Sequence, residues 1–169
     1  MQKELTQPGK LLDEQGNLTQ VGWSRQPQLD CNLEQAAFYP ALKRPLQRFR
    51  VKRWDYYAVF TPARFFSATI ADLGYAGNIF VYTIDFATGI VHEEGLVIPL
   101  GRGIILPRNS TEGDAHFAGK GVSLDFRLRP GVRELAVKWP AFHEGRGIQA
   151  DIRLACSPEH ESMTIVIPI

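Results

Sequence analysis

Val122-Ser-Leu-Asp-Phe-Arg-Leu-Arg129 decides the fold of this chain. Val122, Leu124, Phe126 and Leu128 alternate with Ser123, Asp125, Arg127 and Arg129. A period of two sends the apolar set to one face and the polar set to the other, as in an antiparallel sheet with one side packed and one side wet. Arg129-Pro130-Gly131 supplies the next turn. Leu135, Val137 and Trp139 repeat the alternation, as do Ile148, Ala150, Ile152 and Leu154 after a loop at Gly145–Gly147, and Met163, Ile165 and Ile167 predict a last strand. Upstream, Trp54–Phe60 is aromatic and β-branched, which suits a pleated surface, and Pro62 breaks it. Arg64–Asp72 follows, with Phe66, Ala68 and Ile70 on one face and Ser67 and Thr69 on the other. Leu73–Asn78 carries the glycines and asparagine of a turn, and Ile79–Phe86 resumes as strand up to Thr88-Gly89. No window of ten residues offers a helical period, so the expected fold is all-β and antiparallel, a barrel or a β-sandwich.

The composition agrees with a folded domain. Of 169 residues, 44% are apolar and 22% charged, and a chain of this size buries roughly 70% of its unfolded surface without a disulfide or metal staple. Lys+Arg 19 against Asp+Glu 18 gives a net charge of +1, which argues against the broad basic footprint of a nucleic-acid-binding protein. Cys31 and Cys156 form no C-x-x-C pair, so a reducing compartment is expected. The N-terminus has no signal-type apolar region and no stretch reaches the length of a membrane span, which places the expected location in the cytoplasm. Residues 1–45, rich in Gln, Asn, Asp, Pro and Gly, read as an irregular arm or a short ribbon and 46–169 as the β domain. The sequence stops in or just after the last strand, an edge that wants a covering element from a continuing chain or a second copy.

Few motifs carry chemistry. The dipeptides His92-Glu93, His143-Glu144 and His160-Glu161 each lack the second histidine of H-E-x-x-H and read as loop residues, so no metal site is expected. Gly22-Trp23-Ser24-Arg25-Gln26 lacks the second glycine of a nucleophile elbow. Gly101-Arg102-Gly103 and Gly119-Lys120-Gly121 have the spacing of turns and not of a phosphate cradle, so no cofactor is expected either. Lys43, Arg44, Arg48, Arg50, Lys52 and Arg53 form one basic stretch. It reads as a solvated connector whose stems cover apolar surface, with contact to phosphate or carboxylate as the alternative.

Ten aromatic residues between Trp54 and Phe86 crowd into the first three strands. Because strand residues alternate, these rings populate both faces, building a core and either an interface or an apolar pocket. Asp55 and Asp72 sit in that aromatic sequence, where an unpaired carboxylate is costly to bury. An arginine partner from Arg25, Arg53 or Arg64 is the expected answer, and a general acid role the alternative.

Three ordered strings, Gly22-Trp-Ser-Arg25, Lys52-Arg-Trp-Asp-Tyr-Tyr57 and Thr69-Ile-Ala-Asp-Leu-Gly-Tyr75, resemble the N-terminal half of the family known as domain of unknown function 2804. The resemblance runs from about Leu11 to the end and singles out Arg25, Trp54, Asp55, Tyr56, Asp72 and Tyr75 as motif residues without a known role. It implies a distant similarity to two-domain lipocalin-like proteins, the group of hydroxyneurosporene synthase, and hence one lipocalin-like half of a two-domain architecture. The Lys-Ile-Asn-type motif of the second half does not occur here. The implied function is binding of a hydrophobic small molecule, a lipid or isoprenoid, with Arg25, Trp54, Tyr56, Tyr75, Phe80 and Tyr82 as expected ligand contacts. The alternatives are a hydratase, isomerase or cyclase using Asp55 or Asp72 as acid/base with Arg25 or Arg53 orienting it, and a carbohydrate-binding β-sandwich. The second β half, or another copy of the chain, is the expected partner.

Overall fold

The computed structural model describes residues 3–7, 9–27, 33–157 and 160–166; Cys31 and Ile167 lie outside them. The chain forms two compact units. The larger, Lys52–Leu106 with Asp114–Ala155, holds eight strands. Its first sheet runs β2 (Arg53–Phe60), β3 (Arg64–Asp72), β4 (Ala76–Asp85) and β5 (Val91–Pro99), and its second β6 (Ala115–Gly119), β7 (Val122–Arg129), β8 (Val132–Trp139) and β9 (Ile148–Ala155). Both are antiparallel meanders in sequence order.

The alternating residues meet as their period requires. Phe126, Leu124, Leu135 and Val137 of the second sheet are buried against Ala68, Ile70, Ile79 and Val81 of the first in one core. The ring of Tyr57 meets Phe126 edge-on, with centroids 4.9 Å apart. The architecture is an all-β sandwich. Of the two expected closures the barrel is not realised, because each meander pairs only within its own sheet and no hydrogen-bonded ladder joins β2 or β5 to the second sheet.

Strands β5 and β6 went unread in the sequence. Inward-facing His92, Glu94, Leu96 and Ile98 mix polar with apolar, and outward-facing Val91, Glu93, Gly95 and Val97 do the same, so β5 shows no hydrophobic period. His92 is therefore a strand residue, which corrects its reading as a loop. His143 lies in a one-turn segment, Phe142–Gly145, and His160 outside regular structure.

The second unit draws on the residues up to Val51, on Pro107–Gly113 and on the segment from Cys156. Strand β1 (Gly22–Ser24) pairs antiparallel with β10 (Thr164–Val166), and Leu5, Leu11, Leu12 and Ala36 form a small buried cluster. The stretch read as an irregular arm or short ribbon carries strand β1, and a 3-10 helix, Ala41–Phe49, runs across its end. Gly22 is required by space, because a Cβ there runs into the carbonyl oxygen of Lys3. No helix among the described residues is long and apolar enough to cross a membrane.

Candidate functional site

The residues singled out by the sequence divide among four places. Arg25 belongs to the smaller unit, where its guanidinium lies 3.1 Å from Glu4 and 3.0 Å from Glu161 and sits over the Trp23 ring. It is not a partner of Asp55 or Asp72. Asp72 closes the turn after β3 by accepting the Gly74 N–H at 2.8 Å. Tyr75, exposed in the same turn, is covered by the Lys52 ammonium 4.2 Å from its ring centroid, and that ammonium also donates to the Leu73 carbonyl.

Asp55 occupies the inward phase of β2, with Tyr57 and Val59. Its charge partner is Arg133 of β8, not Arg25, Arg53 or Arg64. Arg133 shares the inward phase of its strand with Leu135 and Val137, and its guanidinium lies 5.7 Å from the Tyr57 centroid. Burial pushes the Asp55 carboxyl above the usual carboxylate range, more than the attraction of Arg133 and the Tyr57 hydroxyl pull it down. Arg53 stands opposite Asp72 in the ladder, and Arg64 reaches Asp85 at 3.6 Å.

Trp54, Tyr56, Phe80 and Tyr82 come together, on the outward face of the first sheet. Register places Trp54, Ala71 and Asn78 in one row, Tyr56, Thr69 and Phe80 in the next, and Ala58, Ser67 and Tyr82 in a third. Small residues on β3 therefore floor a furrow between larger ones on β2 and β4. Trp54, at 65% exposure, stands at one end, and the furrow encloses about 300 Å³. The Thr69 hydroxyl in its floor is shielded from solvent and has no hydrogen-bond partner among the described residues. Tyr56 has its phenol pKa raised, first by hydrogen bonding to Tyr82.

A second, larger cavity of about 630 Å³ opens at the Phe60 end of β2, within the sandwich unit. Cross-strand register puts Val59, Phe66, Thr83 and His92 in one inward row of the first sheet. Phe142, Ile148, Ala150 and Ile152 close it from the other side. The rim is basic: Arg64, Arg146, His92 and His143 line it, and no Asp or Glu does among the described residues. The rings of His92 and His143 stack with centroids 3.6 Å apart. His143 and Glu144 adopt left-handed φ angles of 49° and 59°, a conformation that costs a non-glycine residue about 1 to 2 kcal/mol. Glu94 holds the segment by accepting the His143 backbone N–H at 3.2 Å. The sequence singled out neither Arg146 nor the joint placement of the two histidines. Their one signal in the sequence is the recurrence of His-Glu, which has no helical zinc spacing.

Among the described residues no group of three or more His, Cys, Asp or Glu is placed to hold a metal ion. No curated protein and no solved structure matches the chain. One family model does, the domain of unknown function DUF2804, over residues 2–169. With the whole sandwich and all three sequence strings inside that match, the chain belongs to the DUF2804 family.

Proposed function

We propose that this domain binds a hydrophobic small molecule of the lipid or isoprenoid kind, in the lipocalin-like manner that its sequence resemblance implies. The observation that carries the reading is the cavity of about 630 Å³ between the sheets, walled by Val59, Phe66, Phe142, Ile148 and Ile152. Its size lies in the range of small-molecule pockets, roughly 300 to 1,000 Å³. The ligand contacts move with it: the expected set of Trp54, Tyr56, Phe80 and Tyr82 faces the other side of the sheet. Asp55 and Asp72 line neither cavity, which favours binding over an acid/base enzyme built on them. The test is native mass spectrometry with organic extraction of the purified protein. A co-purifying apolar molecule, lost in Ala150→Trp while the fold is retained, supports the reading. A protein that stays empty when offered lipids and isoprenoids refutes it.

The outward furrow favours a second reading, a carbohydrate-binding face. An exposed Trp54 beside Tyr56, with the Asn78 amide in the same row, offers a ring to stack on and a polar group to orient a sugar. A glycan array with Trp54→Ala as control decides it, and binding that survives the substitution removes the furrow from consideration.

A further inference from the structure

The larger cavity combines an apolar wall with a one-signed rim, and that combination selects among hydrophobic ligands. Arg64 and Arg146 bring two guanidiniums to the opening, and His92 and His143 bring two imidazoles, each with an N–H donor in either protonation state. Asp85 already pairs with Arg64 at 3.6 Å and Glu94 accepts the His143 backbone N–H, so Arg146 is the rim guanidinium without a carboxylate partner among the described residues. The Arg146 side chain has no ion-pair or hydrogen-bond partner among the described residues. A guanidinium fork is shaped to take two oxygens of one anionic group. It stands next to the left-handed turn at His143-Glu144, and strain of that kind persists where the surroundings impose it, commonly at ligand clamps.

We infer that the ligand is a single-chain amphiphile with an oxyanion head, a carboxylate or phosphate monoester, whose tail lies between the sheets and whose head is held at the rim by Arg146 with Arg64. This rests on the cavity being the ligand site and adds the charge of the ligand to it. The apolar wall gives affinity without regard to head group. The arginines supply the discrimination, because a neutral head leaves them in water and gains nothing from them.

Parinaric acid and its methyl ester share one fluorescent chain and differ in the charge of the head, so titrating both separates the two contributions. The acid is expected to bind at least tenfold more tightly than the ester. Arg146→Gln, which breaks no hydrogen bond or ion pair of the side chain among the described residues, should remove most of that difference and change the ester's affinity far less, and Arg64→Gln should act in the same direction. Hexadecanoate and hexadecyl phosphate should displace the bound acid where hexadecanol does not, and the tighter of the two anions identifies the head. Equal affinity for acid and ester, or an Arg146→Gln variant that weakens both alike, overturns the anionic head and leaves the apolar cavity standing. Failure of acid and ester alike to bind overturns both.

Discussion

Replacing Thr69 by valine should make this protein more stable. Thr69 lies in an inner strand of the first sheet, at 3% exposure, between Tyr56 and Phe80 in register. Its backbone serves the ladders on both sides, but its hydroxyl has no hydrogen-bond partner among the described residues. Burying a hydroxyl without compensation costs roughly 1 to 3 kcal/mol by protein mutational data. Valine keeps the branched shape and has high strand propensity, so it removes the penalty while filling nearly the same space. The expected gain is about 1 to 2 kcal/mol, which for a chain of this length raises Tm by roughly 2 to 8 °C. Urea unfolding followed by circular dichroism should show a higher midpoint at an unchanged slope, since the surface exposed on unfolding is the same.

Thr61 provides the opposite control. Its hydroxyl donates to the Arg64 carbonyl at 3.0 Å and accepts the Arg64 N–H at 2.9 Å in the turn between β2 and β3. Thr61→Val should therefore lose about 0.5 to 1.5 kcal/mol. The same chemical change thus carries opposite signs at two positions of one sheet. A Thr69→Val protein with a lowered midpoint refutes the reasoning, because it means that the hydroxyl holds a bond in solution.

Three further outcomes are expected. Phe126→Ala empties the centre of the core beneath Tyr57 and should cost about 3 to 5 kcal/mol, a large part of a typical domain's 5 to 15, read as a fall in the urea midpoint. Lys120, at φ 52° in the two-residue turn with Gly121, pays for a left-handed backbone, so Lys120→Asn should gain about 0.5 to 1 kcal/mol by the same assay. Asp55 keeps its proton in the folded state to higher pH than in the unfolded chain, because burial raises its pKa. Between those two values the native state binds the extra proton, so stability falls as pH rises through the window and stays lowered above it. Asp55→Asn should lack that decline, and unfolding curves from pH 3 to 7 that stay parallel for the two proteins count against it.

Legibility in the sequence followed the cleanness of the two-residue period. Strands β7, β8 and β9 were readable because one face is uniformly apolar and the other charged, as Leu124 and Phe126 against Asp125 and Arg127 show. Strand β5 was not, since His92 and Glu94 point inward where a core strand carries aliphatic residues. Alternation also told that the aromatic residues of β2 to β4 occupy both faces without telling which face is inside. That depends on β5 and on the second sheet, which put Trp54 and Tyr56 in the outward furrow and not in the cavity between the sheets. The partner of Asp55 was missed for a similar reason. Arg133 lies 78 positions away in the other sheet, and no local spacing connects the two.

The residues that spoiled the period also show where the fold departs from its most stable form. A sandwich optimised for its core has no use for Thr83, His92 and Glu94 on the inward face of a sheet, nor for left-handed φ angles at His143 and Glu144. Each is a local cost, and all five lie at or beside the larger cavity. At the other end of the inner face the costly group is handled differently: Asp55 faces the counter-charge of Arg133 and does not line the larger cavity. One end thus sets its buried carboxylate against an arginine, and the other gathers Arg146, His92 and His143 around an apolar space. Proteins concentrate such exceptions at functional sites, where selection acts on something other than stability. The arrangement therefore supports the Phe60 end of the sandwich as the proposed ligand site, on grounds independent of cavity volume.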